Sequence, residues 1–141
     1  MIYFHSETNF QLKKKNNFKH WIKRIAQCEN RRVGELNYIF CDNAYLLEIN
    51  LQYLQHDTYT DIITFDNSVE DIIAGDIFIS VEMVKDNAIE FGVTFEEELI
   101  RVLSHGVYHL CGYKDKTDEE AQQMRAKEAE AIVFSKEMNL L

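Results

Sequence analysis

Two histidines four residues apart carry the strongest chemical signal in the sequence. His105 and His109 are separated by about one helical turn, so both imidazoles can reach a single metal ion. A histidine pair alone also occurs on helix surfaces without a metal. Here Gly112 can end the helix in a left-handed conformation, and Asp115 then follows ten residues after His105. We therefore expect His105, His109 and Asp115 to bind one divalent ion, with Asp118 as the alternative third ligand.

Three protein ligands leave one coordination position for water, as in catalytic zinc sites. The expected cofactor is one zinc ion, and metal-bound water is the expected nucleophile of a hydrolysis. Because Asp115 is a harder ligand than histidine, another divalent metal such as manganese or iron stays open. The spacing matches the metzincin motif, but Gly106 stands where a metalloprotease has its general-base glutamate. A metallopeptidase is therefore the less favoured alternative.

The elements that must position these residues follow from hydrophobic spacing and capping signals. Strands are expected at residues 2–5, 35–40, 61–65 and 74–79. Helices are expected at residues 8–29, 42–54, 80–91, 94–111 and 117–138. Capping boxes are predicted for the first, fourth and fifth of these: Thr8 with Gln11, Thr94 with Glu97, and Thr117 with Glu120. Ser80 is the predicted cap of the third helix, and Gly92 is its predicted end. This pattern predicts an α+β or α/β fold, of which we adopt α+β: one small mixed sheet of about four strands packed with about five helices. Residues 1–141 are expected to form a single domain.

The chain is acidic, with a net charge of −9, but its first 35 residues are basic. These residues contain eight lysines and arginines against three glutamates, whereas the remainder contains seven basic and 21 acidic residues. Lys15, Lys19 and Lys23 share one stripe of the first predicted helix. The stripe could bind the phosphates of a polyanion, or it could be an ordinary solvated helix surface.

The cysteines and the apolar segments indicate a cytoplasmic location. The three cysteines are far apart and form no CxxC pair, so neither a disulfide framework nor a four-cysteine zinc site is expected. The first residues do not resemble a signal peptide, and no apolar run is long enough to span a bilayer.

The segment HGVYHLCGYKD at residues 105–115 resembles the hallmark H-G-x-L-H-L-x-G-Y-D-H of the YbeY family of bacterial metal-dependent endoribonucleases. Residues 50–65 resemble the family segment N-x-x-Y-R-x-K-D-x-P-T-D-V-L-S-F, and residues 75–77 resemble its G-D-I strand. The similarity covers about residues 35–132. Three positions depart from the family: Asp115 replaces the third histidine, Leu54 replaces the arginine after the tyrosine, and Tyr59 replaces the proline.

The resemblance implies an endoribonuclease specific for single-stranded RNA, acting in maturation of the 3′ end of small-subunit (16S) rRNA and in ribosome quality control. The implied partners are rRNA and the small ribosomal subunit, with no membrane. In the family the arginine is thought to serve the substrate phosphate, a role that His56 could take here. The lysine stripe could form the track for the RNA. Leu54 favours an alternative in which the chain is a non-catalytic, metal-stabilised ribosome-assembly factor.

Overall fold

A computed structural model describes residues 1–54 and 60–141. The elements, in chain order, are β1 (Ile2–Ser6), α1 (Lys15–Cys28), β2 (Arg32–Cys41), α2 (Asn43–Ile49), β3 (Ile62–Asp66), β4 (Ile72–Ser80), α3 (Val81–Phe91), α4 (Phe95–Leu110) and α5 (Asp118–Glu137). A π-helical segment, Asn50–Leu54, continues α2. The predicted α+β fold, with about four strands and about five helices, is confirmed.

The four strands form one mixed sheet in the order β1-β2-β4-β3. β1 pairs with β2 and β2 pairs with β4 in parallel, whereas β3 runs antiparallel to β4 at the edge. A parallel pair requires a crossover connection, which α1 supplies between β1 and β2. The edge strand β3 contacts α4, and this contact brings the strand next to the predicted histidine pair.

The main core lies between one face of the sheet and helices α1, α4 and α5. Tyr38, Phe40 and Ile77 of the inner strands are fully buried there. Helix α4 approaches the sheet closely at Gly106, where an added Cβ would lie 2.9 Å from Ile77 Cδ1 and 3.3 Å from Ile62 Cδ1. Since those distances are shorter than ordinary contacts, glycine is required for α4 to pack at this depth.

The starts of three helices confirm the predicted capping residues. The side chains of Ser80 and Thr94 accept hydrogen bonds from backbone N–H groups at the starts of α3 and α4. Thr117 and Glu120 form a reciprocal capping box at the start of α5. Gly92 ends α3 in a left-handed conformation, as expected. None of the helices in the described ranges combines the length and apolarity that crossing a membrane requires.

One predicted helix start is wrong. The capping box of Thr8 and Gln11 does not begin a helix, and α1 starts at Lys15. The preceding segment is held by an aromatic ring instead, since Phe10 packs edge-on against Phe40 with ring centroids 5.1 Å apart. Full burial of a phenylalanine is worth roughly 1.5–3 kcal/mol, and the half-buried Phe10 gains part of this from its packing against Phe40 and Phe95. That packing competes with a helix cap, which is worth about 1 kcal/mol.

Candidate metal site

The C-terminal half of α4 presents His105 and His109 on the same side, with ring centroids 4.5 Å apart. Asp115 Oδ2 lies 3.1 Å from His105 Nε2 and 3.5 Å from His109 Nε2. All three donor atoms lie within 4.8 Å of one another. Donor atoms around a tetrahedral zinc ion are roughly 3.3 Å apart. These three residues therefore form a group that could hold a metal ion.

The turn after α4 brings Asp115 back to the histidines. Gly112 has φ +101°, a conformation that side-chain-bearing residues rarely adopt, and an added Cβ there would meet nothing within 4 Å. Glycine is needed here for its backbone conformation rather than for space. The N–H of Tyr113 donates to the carbonyl oxygen of Tyr108 at 3.0 Å and closes the end of the helix. The helix end predicted from Gly112 is therefore confirmed.

Both histidines use Nδ1 for hydrogen bonds inside the protein. His105 Nδ1 donates to Glu128 Oε2 at 2.6 Å, and His109 Nδ1 donates to the carbonyl oxygen of Tyr113 at 2.9 Å. A carboxylate and a carbonyl can only accept, so each Nδ1 carries the proton in the neutral ring. Each Nε2 then presents a lone pair toward Asp115. Histidines that bind metals characteristically show this arrangement.

A buried charge network holds Glu128 in place. Arg101 Nη1 lies 3.3 Å from Glu128 Oε1, and the same guanidinium binds both carboxylate oxygens of Glu98 at 2.9 and 2.5 Å. The hydrogen bonds to Glu98 raise the pKa of Arg101, which therefore stays charged. Burial raises the pKa of the nearby Asp61, although Arg101 opposes this shift. The network thus places the negative charge of Glu128 against His105.

A second set of contacts fixes the start of the ligand loop. The Tyr113 hydroxyl donates to Glu29 at 2.5 Å, and Lys127 Nζ donates to the same carboxylate at 2.9 Å. Burial favours a higher pKa for Glu29, but these two donors outweigh it and lower the pKa. Arg31 donates to the carbonyl oxygen of Cys111 at 3.1 Å. The loop is thereby attached to the end of α1 and to α5.

The three candidate ligands open into a pocket of about 640 Å³. Its described lining residues come from four parts of the chain: Asn50, Leu54, Thr60, Ile62, Ile63, Thr64, Asp66, His105, His109, Asp115 and Lys116. The π-helical segment contributes the first two of these. The volume lies within the roughly 300–1,000 Å³ of ligand-binding pockets.

The predicted RNA-binding residues are not brought together with the metal ligands. Lys15 and Lys23 are exposed and Lys19 is half-buried on α1, and none of these lysines is among the described residues lining the metal pocket. Their contact with RNA remains a prediction. His56 lies outside the described residues. Leu54 lines the pocket with its side chain partly exposed.

Sequence reasoning missed the residues that support the ligands, above all Glu128. The sequence contains a helical spacing, because Met124, Glu128, Ala131 and Ser135 follow one another at alternating intervals of four and three, and the structure buries these four positions of α5. A charged residue within such a stripe indicates a buried partner. The identity of that partner, His105 on another helix, depends on tertiary packing that the stripe does not reveal.

The fold and the site define a class of protein: a small α+β protein with a group suited to a divalent ion at the end of a central helix. The comparisons with known proteins identify the family. Residues 2–135 match the family profile described as Endoribonuclease YbeY. The chain therefore belongs to the YbeY endoribonuclease family, and the resemblance noted in the sequence is confirmed.

Individual relatives support this assignment. A protein of Flavobacterium johnsoniae named Endoribonuclease YbeY is 55% identical over 134 residues, which cover 95% of this chain and 96% of the relative. A protein of Cytophaga hutchinsonii with the same name is 50% identical over 137 residues, covering 96% of each chain. A Thermotoga maritima protein whose solution structure is known shares 31% identity with a TM-score of 0.65, covering 94% of this chain and 87% of its own.

Proposed function

We propose that this chain hydrolyses phosphodiester bonds of single-stranded RNA, with one zinc ion bound by His105, His109 and Asp115. The observation that carries the proposal is the convergence of two Nε2 atoms and one carboxylate oxygen at an open pocket. Two neutral imidazoles with one carboxylate suit zinc, and three protein ligands leave a position for water. A bound ion would polarise a phosphoryl oxygen and lower the pKa of a coordinated water.

The chain's own residues would orient the ligands for this reaction. Glu128 holds the proton of His105 at Nδ1, and the carbonyl oxygen of Tyr113 does the same for His109, which keeps both Nε2 atoms free. Thr60 and Thr64 supply hydroxyl groups along the pocket. The Thr64 hydroxyl can donate a hydrogen bond to the sugar-phosphate backbone of an RNA strand. The Thr60 hydroxyl already donates to the carbonyl oxygen of Ile62 at 3.3 Å, so it can only accept a hydrogen bond from a sugar hydroxyl.

The proposed physiological substrate is the 3′ end of small-subunit (16S) rRNA, with the small ribosomal subunit as the partner. Membership of the YbeY family supports this assignment. A ribosomal substrate would place the chain in the cytoplasm. The stripe of Lys15, Lys19 and Lys23 is proposed as a track for RNA phosphates. Replacing all three with glutamine should then weaken the salt dependence of RNA binding.

The position of Gly106 argues against the peptidase alternative. An added Cβ there would meet Ile77 and Ile62 of the sheet. A glutamate side chain at this position would therefore start into the core instead of into the pocket of His105 and His109. The site has no place at this position for the general base of a metalloprotease.

The test is cleavage of a labelled single-stranded RNA by protein purified without affinity-tag metals. Cleavage should stop with chelator, return with zinc or manganese, and be much weaker on the same sequence in a duplex. His109→Ala should lose cleavage, whereas His20→Ala, an exposed histidine on α1, should retain it. RNA binding without cleavage under any metal would favour the assembly-factor alternative. Digestion of casein that is sensitive to chelator would favour the peptidase.

A further inference from the structure

The metal pocket has an uneven distribution of charge. Among its described lining residues, Asp66 and Asp115 are acidic, and Lys116 is the single side chain with a permanent positive charge. The two histidines are neutral when they bind a metal ion. Charge complementarity for an anionic substrate therefore depends on the ion and on Lys116.

Lys116 also differs from other cations in this part of the molecule. Arg101 is bound to Glu98, and Lys127 is bound to Glu29. Lys116 is exposed and has no hydrogen bond or ion pair with any residue in the described ranges. Its ammonium group is therefore available to an incoming ligand.

The charges of an occupied pocket show what this ammonium group would contribute. Among the described lining residues, the carboxylates of Asp66 and Asp115 together offset a divalent ion, which leaves the positive charge of Lys116. One phosphodiester carries a single negative charge. The whole chain has a net charge of −9 and repels RNA at long range. A local cation is needed to hold a phosphate against that repulsion.

We propose that Lys116 binds a phosphate oxygen of the RNA strand in the metal pocket and acts as a substrate-binding residue. This inference rests on the proposed endoribonuclease function. Lys116 directly follows the ligand Asp115 in the chain, so the loop that delivers the third metal ligand also delivers the phosphate contact. Leu54 lines the same pocket and supplies no charge. The cation therefore comes from the loop after α4 instead of from the π-helical segment.

The experiment compares Lys116→Gln with Lys114→Gln. Both lysines are exposed and flank Asp115, but Lys114 lines a separate cavity with Glu29 and Arg31. The two variants therefore change the net charge equally. Lys116→Gln should raise KM for single-stranded RNA roughly tenfold, as expected for loss of a charge-assisted hydrogen bond, with a smaller effect on kcat. Lys114→Gln should stay within about twofold of the wild type, because exposed charges elsewhere contribute little.

A second readout does not depend on the metal. Binding of a fluorescent single-stranded RNA to the metal-free protein should have a salt slope lower by about 0.7 in Lys116→Gln than in Lys114→Gln. Adding Leu54→Arg to Lys116→Gln should recover much of the lost affinity, since it returns a cation to the same pocket. When the proteins are loaded with metal, Lys116→Gln, Lys114→Gln and the double variant should all hold as much metal as the wild type.

Equal KM values and equal salt slopes for the two lysine variants would overturn the proposal. Loss of metal from Lys116→Gln would also overturn it, because the lysine would then act through the ligand loop. A wild-type protein that neither binds nor cleaves RNA would refute the proposed function itself. A wild type that cleaves RNA while the two variants behave alike would refute only the role of Lys116.

Discussion

His105 and Asp115, which form the two ends of the proposed metal-binding group, are held in different ways. The His105 side chain is 15% exposed, and its Nδ1 is bound by Glu128, which is 4% exposed and paired with Arg101. The Asp115 side chain is 41% exposed, and within the described part of the chain its polar contacts are with His105 and His109 alone. The histidine end is thus preformed by the protein, whereas the aspartate end depends on what it binds.

This difference indicates how the site divides its tasks. Burying Glu98 and Glu128 around one arginine is an inefficient way to gain stability, because the desolvation of buried ion pairs offsets much of their attraction. The network is better explained by orientation of His105. An exposed ligand such as Asp115 can adjust its distance to ions of different size. The buried end should therefore determine whether a metal binds, and the exposed end should determine which metal binds.

The largest expected effect comes from removing a ligand at the preformed end. His109→Ala should lose most of its bound metal. Its metal affinity should fall by more than the roughly 10–100-fold that is expected when a residue supporting a ligand is replaced. Asp115→Ala should bind metal more weakly but detectably, since both histidines stay in place. Asp115→His should keep the metal and gain preference for zinc over manganese. Elemental analysis and competition titrations of each purified variant measure these changes.

Two outcomes would contradict this division. Stoichiometric metal in His109→Ala would remove His109 from the ligand set. Metal affinity of Asp115→Ala equal to that of the wild type would show that another carboxylate is the third ligand. Asp66 is then the first candidate, because it lines the same pocket.

A smaller effect is expected from the support of His105. Glu128→Gln keeps the size of the side chain but removes the charge that faces the imidazole, so metal affinity should fall roughly 10–100-fold. Glu130→Gln makes the same change in net charge on the same helix, at a side chain that is 56% exposed, and should change affinity little. Isothermal titration with zinc measures both variants.

Activity at saturating metal distinguishes a positioning role of Glu128 from a direct role in the reaction. Cleavage by Glu128→Gln should return at saturating metal if Glu128 acts by positioning His105. A variant that stays inactive at saturating metal with an intact circular dichroism spectrum would assign Glu128 a direct role in the reaction. Equal metal affinities of Glu128→Gln and Glu130→Gln would mean that the contact of Glu128 with His105 does not help the site to bind metal.

The same comparison explains which parts of the site were predictable from the sequence. His105, His109 and Asp115 lie within eleven residues of chain, and their relation follows from helix geometry and one glycine turn. Local rules also predicted the caps at Ser80 and Thr94. The start of the first helix was predicted wrongly because Phe10, within the predicted helix, packs against Phe40 across the fold, and a local capping signal carries no information about that contact.

The smallest predicted effect concerns the attachment of the ligand loop by Glu29. Glu29→Gln should lower the free energy of unfolding at pH 7 by about 1–3 kcal/mol, because Tyr113 and Lys127 lose a charged acceptor. The folded-state pKa of Glu29 lies below its ordinary value of 4.5, so the wild-type advantage should be complete above pH 4.5 and disappear as the pH falls through the lowered pKa. Urea unfolding at several pH values measures this difference, with the exposed Glu35→Gln as control.

Metal affinity of Glu29→Gln should change less than that of Glu128→Gln, because Glu29 contacts the loop and not a histidine. An advantage that grows toward acid pH would contradict the lowered pKa of Glu29. A loss of metal as large as that of Glu128→Gln would mean that the aspartate end is as strictly preformed as the histidine end.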